Sequence, residues 1–346
     1  MEMELNLLTQ QETDSLNNLI DKGEHVVICA HKGPDGDAIG SSLAWAEYLQ
    51  QRGKSVAVTV PDAWPDFLQW LPNAQTIVRY DKHPERVEQL MKEADLVFCL
   101  DMNATDRVLA MQPVLEASTE NRVLIDHHLN PTLPAVLSVS HPELSSTCEI
   151  VFRIICQLGG FEQMTRSMAT CLYCGMMTDT GAFTYNSTRP EVYTIIGQLL
   201  TKRIDKDRIY RRVYNTLSHW ALRLRGYVIY RKMNILADGR ASYFALTRKE
   251  MSDFHFIKGD VEGLVNEPLR IRGMRLSISL REDDRVDNLV WVSLRSYDDF
   301  PCNKMAEEFF NGGGHLNASG GRLFCSIEEA EQVARRAVDA YAGLLK

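Results

Sequence analysis

The stretch His31-Lys32-Gly33-Pro34-Asp35-Gly36-Asp37-Ala38-Ile39-Gly40-Ser41 follows the apolar run Val26-Val27-Ile28-Cys29-Ala30 and leads into a helix-like segment, Ala38 to Arg52. One imidazole and two carboxylates are thereby crowded into a single strand-to-helix turn. Gly33 and Gly36 permit backbone angles that other residues resist, and Pro34 keeps the helix from starting early. Ligand-type groups at this density repel one another unless a cation sits among them. The arrangement recurs twice. The run Leu96-Val97-Phe98-Cys99-Leu100 ends in Asp101, and Val123-Leu124-Ile125 ends in Asp126-His127-His128. Short apolar runs alternating with helical patterns predict a doubly wound, mostly parallel sheet. Such sheets bind ligands outside the carboxyl ends of their strands, so all three runs would deliver their polar residues to one edge. A fourth contribution, Asp179, closes an apolar helix-like segment that starts near Met168. Its place beside the others follows from chemistry, since periodicity does not supply it.

Taken singly, each residue has a plainer reading. Asp37 suits the cap of a helix beginning at Ala38. A lone His31 or Asp101 at a strand end is ordinary. Three strand ends that all carry ligands change the balance. Carboxylates and imidazoles without thiolates suit Mn²⁺ or Mg²⁺, and can also hold Zn²⁺, Fe²⁺ or Co²⁺. His31, Asp35, Asp37, Asp101, His127 and Asp179 exceed what one catalytic ion needs if it is to keep an open position. Two ions sharing a carboxylate use them economically. Such a pair, about 3.5–4 Å apart, activates a bridging water and stabilises both attacking and leaving oxygens in phosphoryl transfer.

Length and composition are those of a two-domain globular protein. The chain has 346 residues and no apolar run near the ~20 needed to span a bilayer. The acidic start, Met1-Glu2-Met3-Glu4, is unlike a secretory signal, so the expectation is a cytoplasmic protein without a membrane partner. Cys29 and Cys99 fall in predicted strands, and Cys148, Cys156, Cys171 and Cys174 in apolar helical stretches, where thiols behave as small hydrophobes. The Cys171-x-x-Cys174 spacing has no second pair to complete a zinc site. Net charge is −8, distributed as −13 over residues 1–201, +8 over 202–295 and −3 over 296–346. The acidic half holds the proposed metal ligands. The basic stretch begins where a second domain should begin, which favours a small anionic substrate over long nucleic acid. A solvated basic linker is the plainer alternative.

Further along, residues 5–22 read as an amphipathic helix and 55–60 as a strand. The Asp62-to-Pro72 stretch, with two tryptophans and two prolines, reads as a surface excursion. A helix is expected over 145–158, helical segments over 191–225, and strands at 241–246, 274–280 and 288–295. A helix over 303–310 leads into Gly312-Gly313-Gly314-His315. A capping box, Ser326 to Glu329, opens a last helix running to about Leu345.

These motifs together resemble the DHH phosphoesterase superfamily. Asp126-His127-His128 is its naming signature, and His31-x-x-x-Asp35-x-Asp37-Ala-x-Gly-Ser matches its first motif. Asp101 and Asp179 match its second and fourth, and Gly312-Gly313-Gly314-His315-x-x-Ala318-x-Gly320 matches the domain commonly attached at its C-terminus. The resemblance spans nearly the whole chain. It implies an α/β protein: an N-terminal doubly wound, mostly parallel sheet domain with a smaller C-terminal α/β domain and an active-site cleft between them. The expected divisions are a catalytic domain at 1–200, a helical connector at 201–225 and a DHH-associated substrate-binding domain at 226–346.

Within the superfamily, size and two-domain plan are similar to the bacterial nanoRNases, oligoribonucleases that also act on 3′-phosphoadenosine 5′-phosphate (pAp). That likeness implies two divalent ions, Mn²⁺ first, with Mg²⁺ or Co²⁺ as alternatives. His31 and Asp35 would hold one ion. Asp37, His127 and Asp179 would hold the other, and Asp101 would bridge. Asp126 would orient its neighbours, and His128 would face the scissile phosphate. In the C-terminal domain, Gly313 and Gly314 would let backbone amides approach an anion. His315 and Arg295 would grip a phosphate, with a plain surface arginine as the alternative for Arg295, and Asn317 would meet a base or sugar or serve as a turn residue. Substrates would be short RNA oligonucleotides and pAp, and a homodimer is compatible with the plan. The runner-up is a soluble phosphodiesterase acting on cyclic-di-AMP or pApA. RecJ-type exonucleases normally carry further modules, membrane-bound cyclic-di-AMP phosphodiesterases carry transmembrane segments, and family II pyrophosphatases lack the glycine-histidine loop. A catalytically dead nucleotide sensor would have lost a ligand, and none of the six is replaced.

Overall fold

The structure, a computed structural model, describes residues 6–257 and 259–345. Residue 5, the first of the expected N-terminal helix, lies outside the described residues. The chain divides into two compact units, Met1–Thr216 and Leu217–Lys346. The division falls inside 201–225, the stretch expected as a connector, whose helices are shared between the two units.

The first unit contains α1 (Gln10–Lys22), β1 (His25–Ala30), α2 (Gly36–Gln51), β2 (Ser55–Val60), β3 (Val78–Arg79), α3 (Pro84–Glu93) and β4 (Leu96–Leu100). It continues through α4 (Gln112–Glu116), β5 (Arg122–Asp126), β6 (Leu137–Ser140), α5 (Thr147–Gln157), α6 (Arg166–Asp179), α7 (Pro190–Thr201) and α8 (Lys206–Tyr214). Its six strands form one parallel sheet in the order β3-β2-β1-β4-β5-β6.

Period-two alternation explains why these strands are buried on both faces. Val26, Ile28 and Ala30 of β1, with Leu96, Phe98 and Leu100 of β4, enter the core under α2, α5 and α6. Val27, Cys29, Val97 and Cys99 point the other way, into a core shared with Val87 and Met91 of α3 and Leu115 of α4. β1 and β4 are neighbours, yet the chain leaves them toward opposite edges of the sheet. This is the topological switch point, where the loops beyond the strand ends diverge and leave a crevice. His31 follows β1 and Asp101 follows β4.

Helices α2 and α6 approach closely because three glycines line their contact. A Cβ on Gly40 would lie 2.5 Å from the Cys171 carbonyl oxygen, and one on Gly36 would lie 2.2 Å from Thr178 Oγ1. A Cβ on Gly175 would lie 2.2 Å from Cys148 Sγ and 3.0 Å from Asp37 Cα. Larger side chains would wedge the helices apart and separate Asp37, in the first turn of α2, from Asp179, at the end of α6.

The second unit contains α9 (His219–Tyr227), β7 (Asn234–Leu236), β8 (Ala241–Leu246), α10 (Arg248–Asp253), β9 (Leu276–Glu282) and β10 (Val290–Ser296). It ends with α11 (Cys302–Phe309), β11 (Gly313–Gly314), β12 (Ala318–Leu323) and α12 (Ile327–Ala340). Its mixed sheet runs β11-β12-β10-β9-β8-β7, with only the β8–β9 pair parallel. One face packs on α11 and α12 through Ile278, Val292, Met305, Ala334 and Val338. Phe244 and Leu246 on the other face meet Leu224, Met251 and Leu264.

Several expectations need correction. Asp62-to-Pro72 is no surface excursion, because Trp64, Leu68 and Leu71 are buried in the main core. Helix α1 begins at Gln10 because Thr9 and Glu12 form a capping box, and α12 stops at Ala340. The cysteine expectation holds: Cys171 and Cys174 sit buried in α6 among apolar neighbours, and the eight cysteines, all among the described residues, are free thiols. No helix among the described residues is long and apolar enough to cross a membrane.

Candidate metal centre

The turn after β1 builds the first part of the site. Gly33 adopts a left-handed φ of +62°, and its amide donates to Asp62 Oδ1 at 2.6 Å. Asp35, rather than Asp37, caps α2: its Oδ1 accepts from the amides of Asp37 at 2.9 Å and Ala38 at 3.1 Å. The capping alternative for Asp37 therefore falls to its neighbour. Asp37 instead reaches across to the start of α5. Its Oδ2 accepts from the Thr147 amide at 2.6 Å and its Oδ1 from the Cys148 amide at 2.8 Å. A helix N-terminus with unsatisfied amides is a natural seat for a carboxylate.

Asp101 follows β4 with φ of 58°, a left-handed conformation that Asp tolerates better than most residues. The turn aims its carboxylate into the cluster. His31 Nε2 lies 3.4 Å from its Oδ2, and His127 Nε2 lies 3.5 Å from its Oδ1. Thr147 Oγ1 donates to Oδ1 at 3.1 Å. His127 Nε2 also lies 3.5 Å from Asp179 Oδ2 and 3.9 Å from Asp37 Oδ2. His128 Nδ1 is held at 2.8 Å by Asp126 Oδ1. Asp126 is fully buried, and its Oδ2 has no hydrogen-bond partner.

Three trios of donor atoms result: His31, Asp35 and Asp101; Asp37, His127 and Asp179; and Asp101, His127 and His128. In each trio one atom from each residue lies within 4.8 Å of the others. Asp101 and His127 each belong to two. All the residues singled out from the first unit thus converge, together with Thr147 and Cys148, which motif reading missed. The Ser-Ser-Thr run before an amphipathic segment announces a helix start. Nothing in it says that a carboxylate more than a hundred positions earlier docks there. Glu149 steadies that start: it accepts from Ser145 through its amide at 2.9 Å and hydroxyl at 2.6 Å, and pairs with Arg153 and Arg189, each at 2.7 Å.

The electrostatics call for positive charge. Burial raises the Asp37 and Asp179 carboxyls, and the neighbouring carboxylates raise them further. Burial also opposes ionisation of Asp101, but His31, His128 and His127 outweigh it and hold Asp101 well below the usual carboxylate range. Burial would lower the His31 imidazole, yet Asp101 and Asp35 raise it to about 9. Five carboxylates (Asp35, Asp37, Asp101, Asp126, Asp179) face three imidazoles, and the mutual repulsion that raises Asp37 and Asp179 is what a bound cation would relieve. The donor set therefore fits hard divalent cations.

Metal binding here must displace protons, chiefly from His31 and from the raised Asp37 and Asp179. The sign follows: apparent Mn²⁺ affinity weakens as pH falls below about 9, by about tenfold per pH unit for each proton displaced. Titration calorimetry in buffers of differing ionisation enthalpy will count the released protons. Binding that releases none would contradict this donor set.

The residues singled out in the second unit lie together, around the β11–β12 turn and the end of the interior strand β10. Arg295 of β10 is opposite Ala318 of β12, and Gly313 and Gly314 pair with Gly320 and Ser319. Gly314 has φ of +139°, and a Cβ there would lie 2.7 Å from the Ala318 carbonyl oxygen, so the tight turn to His315 requires glycine. His315 is exposed, with its backbone tied to Ala318. Arg295 is half-buried, and its Nη1 donates to the Leu294 carbonyl. The side-chain amide of Asn317 donates to Ser296 Oγ at 2.9 Å and to the Asp298 carbonyl at 3.1 Å. Asn317 thus fixes the loop after β10, and what it offers a ligand is its carbonyl oxygen.

Known proteins resemble this chain in sequence and in fold. Residues 25–176 match the DHH family, N-terminal domain. The chain is 31% identical to the bifunctional oligoribonuclease and PAP phosphatase NrnA of Thermus thermophilus, covering 86% of this chain and 84% of that one. It superposes with a TM-score of 0.94 on the crystal structure of an exopolyphosphatase-related protein from Bacteroides fragilis, at 47% identity over 97% of this chain and 98% of the other. RecJ from Thermus thermophilus in complex with Mn²⁺ shares the fold at TM-score 0.55 and 14% identity, over 98% of this chain and 56% of that one.

Proposed function

Since the chain belongs to the DHH phosphoesterase family, we propose that it hydrolyses short oligoribonucleotides to nucleoside 5′-monophosphates and pAp to AMP and phosphate. The observation that carries this reading is the pair of ligand trios joined through Asp101 and His127 at the switch point of the parallel sheet. The oligoribonuclease and PAP phosphatase relative supports the substrate class. Hard oxygen and imidazole donors, and the Mn²⁺ complex of the RecJ relative, support manganese.

His31 and Asp35 would hold one ion and Asp37, His127 and Asp179 the other, with Asp101 shared. When bound, such ions lower the pKa of water and withdraw charge from phosphoryl oxygens. The chain's own groups do the rest. Asp37 is fixed by the α5 amides and Asp101 by Thr147, so neither carboxylate must be ordered during turnover. His128, oriented through Nδ1 by Asp126, would act through Nε2 to stabilise the phosphate or protonate the departing ribose 3′ oxygen. Both reactions break the same bond: water adds to a phosphorus esterified to a ribose 3′ oxygen, and that oxygen leaves with a proton. We assign catalysis to the first unit and substrate holding to the second, through Arg295, His315 and the Gly313–Gly314 amides.

The test is a substrate panel with purified protein and Mn²⁺. A 5′-labelled RNA dinucleotide should yield 5′-monophosphates, and pAp should yield AMP and phosphate. Turnover confined to polyphosphate, cyclic-di-AMP or pApA would reject the substrate assignment.

A further inference from the structure

A pocket of about 680 Å³ opens in the second unit beside Arg240, Arg275, Tyr297, Asp298 and Asp299. It lies where β8 and β9 begin and β10 ends. The Arg240 carbonyl accepts from the amides of Arg275 at 2.7 Å and Leu276 at 3.1 Å, which ties the two strand starts together. The Tyr297 amide donates to the Arg275 carbonyl at 3.1 Å, and the Tyr297 side chain is 48% exposed. The loop that forms this wall also forms the wall of the glycine-histidine turn. Asn317 donates to the Asp298 carbonyl at 3.1 Å, and the Ser296 amide donates to the Asn317 carbonyl at 3.0 Å. The pocket and the turn are therefore two sides of one loop.

We infer that this pocket is a second nucleotide subsite, which holds a base and phosphate of single-stranded RNA beyond the residue gripped by the Gly313–Asn317 turn. The inference rests on the substrate-holding role proposed for that turn. Sites for single-stranded nucleic acid pair cations that follow the backbone with aromatic faces on which bases stack. Arg240 is an exposed guanidinium suited to a phosphate, and Tyr297 offers an exposed ring at the same opening. Asp298 and Asp299 add acceptors for the exocyclic amino groups of bases. Arg275 pairs with Asp299 at 2.5 Å, but Asp299 is 91% exposed, so the pair is weak and an incoming phosphate can compete for the guanidinium. In this assignment the turn holds pAp or a dinucleotide, and the pocket takes a further nucleotide of a longer chain. The subsite thereby makes the enzyme sensitive to chain length.

Arg240→Ala tests this, since its exposed side chain has no part in the core. Steady-state kcat/KM would be measured with Mn²⁺ for a 5′-labelled RNA dinucleotide and a pentanucleotide, in wild type and variant. The pentanucleotide-to-dinucleotide ratio is expected to fall about tenfold in the variant, the loss of one charge-assisted contact. The slope of log KM against log salt for the pentanucleotide should become shallower by about 0.7. An unchanged ratio, or equal losses on both substrates, overturns the subsite while leaving the proposed activity standing. A wild-type enzyme that cleaves neither RNA overturns both.

Discussion

Asp101→Asn is expected to lower dinucleotide turnover about 1,000-fold, the rate equivalent of roughly 4 kcal/mol of transition-state stabilisation lost with an ion-binding carboxylate. The reason is position. Asp101 lies among His31, His127 and Thr147 and is shared by two of the three donor trios. Asparagine keeps the shape and can keep the Thr147 hydrogen bond, so the fold should survive. It removes the negative charge that two cations would share. Single-turnover rates at saturating Mn²⁺, with far-ultraviolet circular dichroism as the folding control, separate the two effects. Activity retained within about tenfold, in the range of a supporting rather than a ligating group, would rule out a shared carboxylate at this position.

Removing divalent cations has the second large effect. Chelation is expected to abolish turnover and to lower the melting temperature by about 5–10 °C relative to protein held at roughly 100 times the dissociation constant of one ion. Binding at that ratio contributes about 2.7 kcal/mol, and a domain of this size shifts about 2–4 °C per kcal/mol. The driving force is the mutual repulsion of the carboxylates around Asp37, Asp101 and Asp179. Re-addition of Mn²⁺ should restore both quantities. A melting temperature and an activity indifferent to chelator would remove the metal centre.

Much of this site was legible in the sequence because its polar residues sit at the ends of strands with unmistakable apolar runs. Val26–Ala30, Leu96–Leu100 and Val123–Ile125 each announce a buried strand, and a parallel sheet must bring their carboxyl ends to one edge. What stayed hidden depends on contacts distant along the chain. Nothing local to Asp37 says that its oxygens dock on Thr147 and Cys148. Nor does Gly175 reveal that Cys148 Sγ and Asp37 Cα occupy the space a side chain would need. The prolines and tryptophans of 62–72 imitate an exposed loop, yet Trp64, Leu68 and Leu71 are buried, because irregular backbone can still carry core residues. The strand Ala318–Leu323 was missed since Ser319-Gly320-Gly321-Arg322 lacks β-branched side chains, and its identity comes from pairing with β10. In the second unit, Asn317 braces a neighbouring loop through its side-chain amide, a contact that no motif announces.

The docking of Asp37 on the first amides of α5 has a consequence for how the protein matures. One of the deepest anions of the centre is satisfied by backbone donors within its own fold, and Asp101 by a threonine and the histidines around it. A newly made chain can therefore complete its first unit from internal partners, and charging with cations becomes a later and reversible step. Divalent-cation supply would then govern how much of the standing population is active and add to its stability, without being needed for the first unit to form.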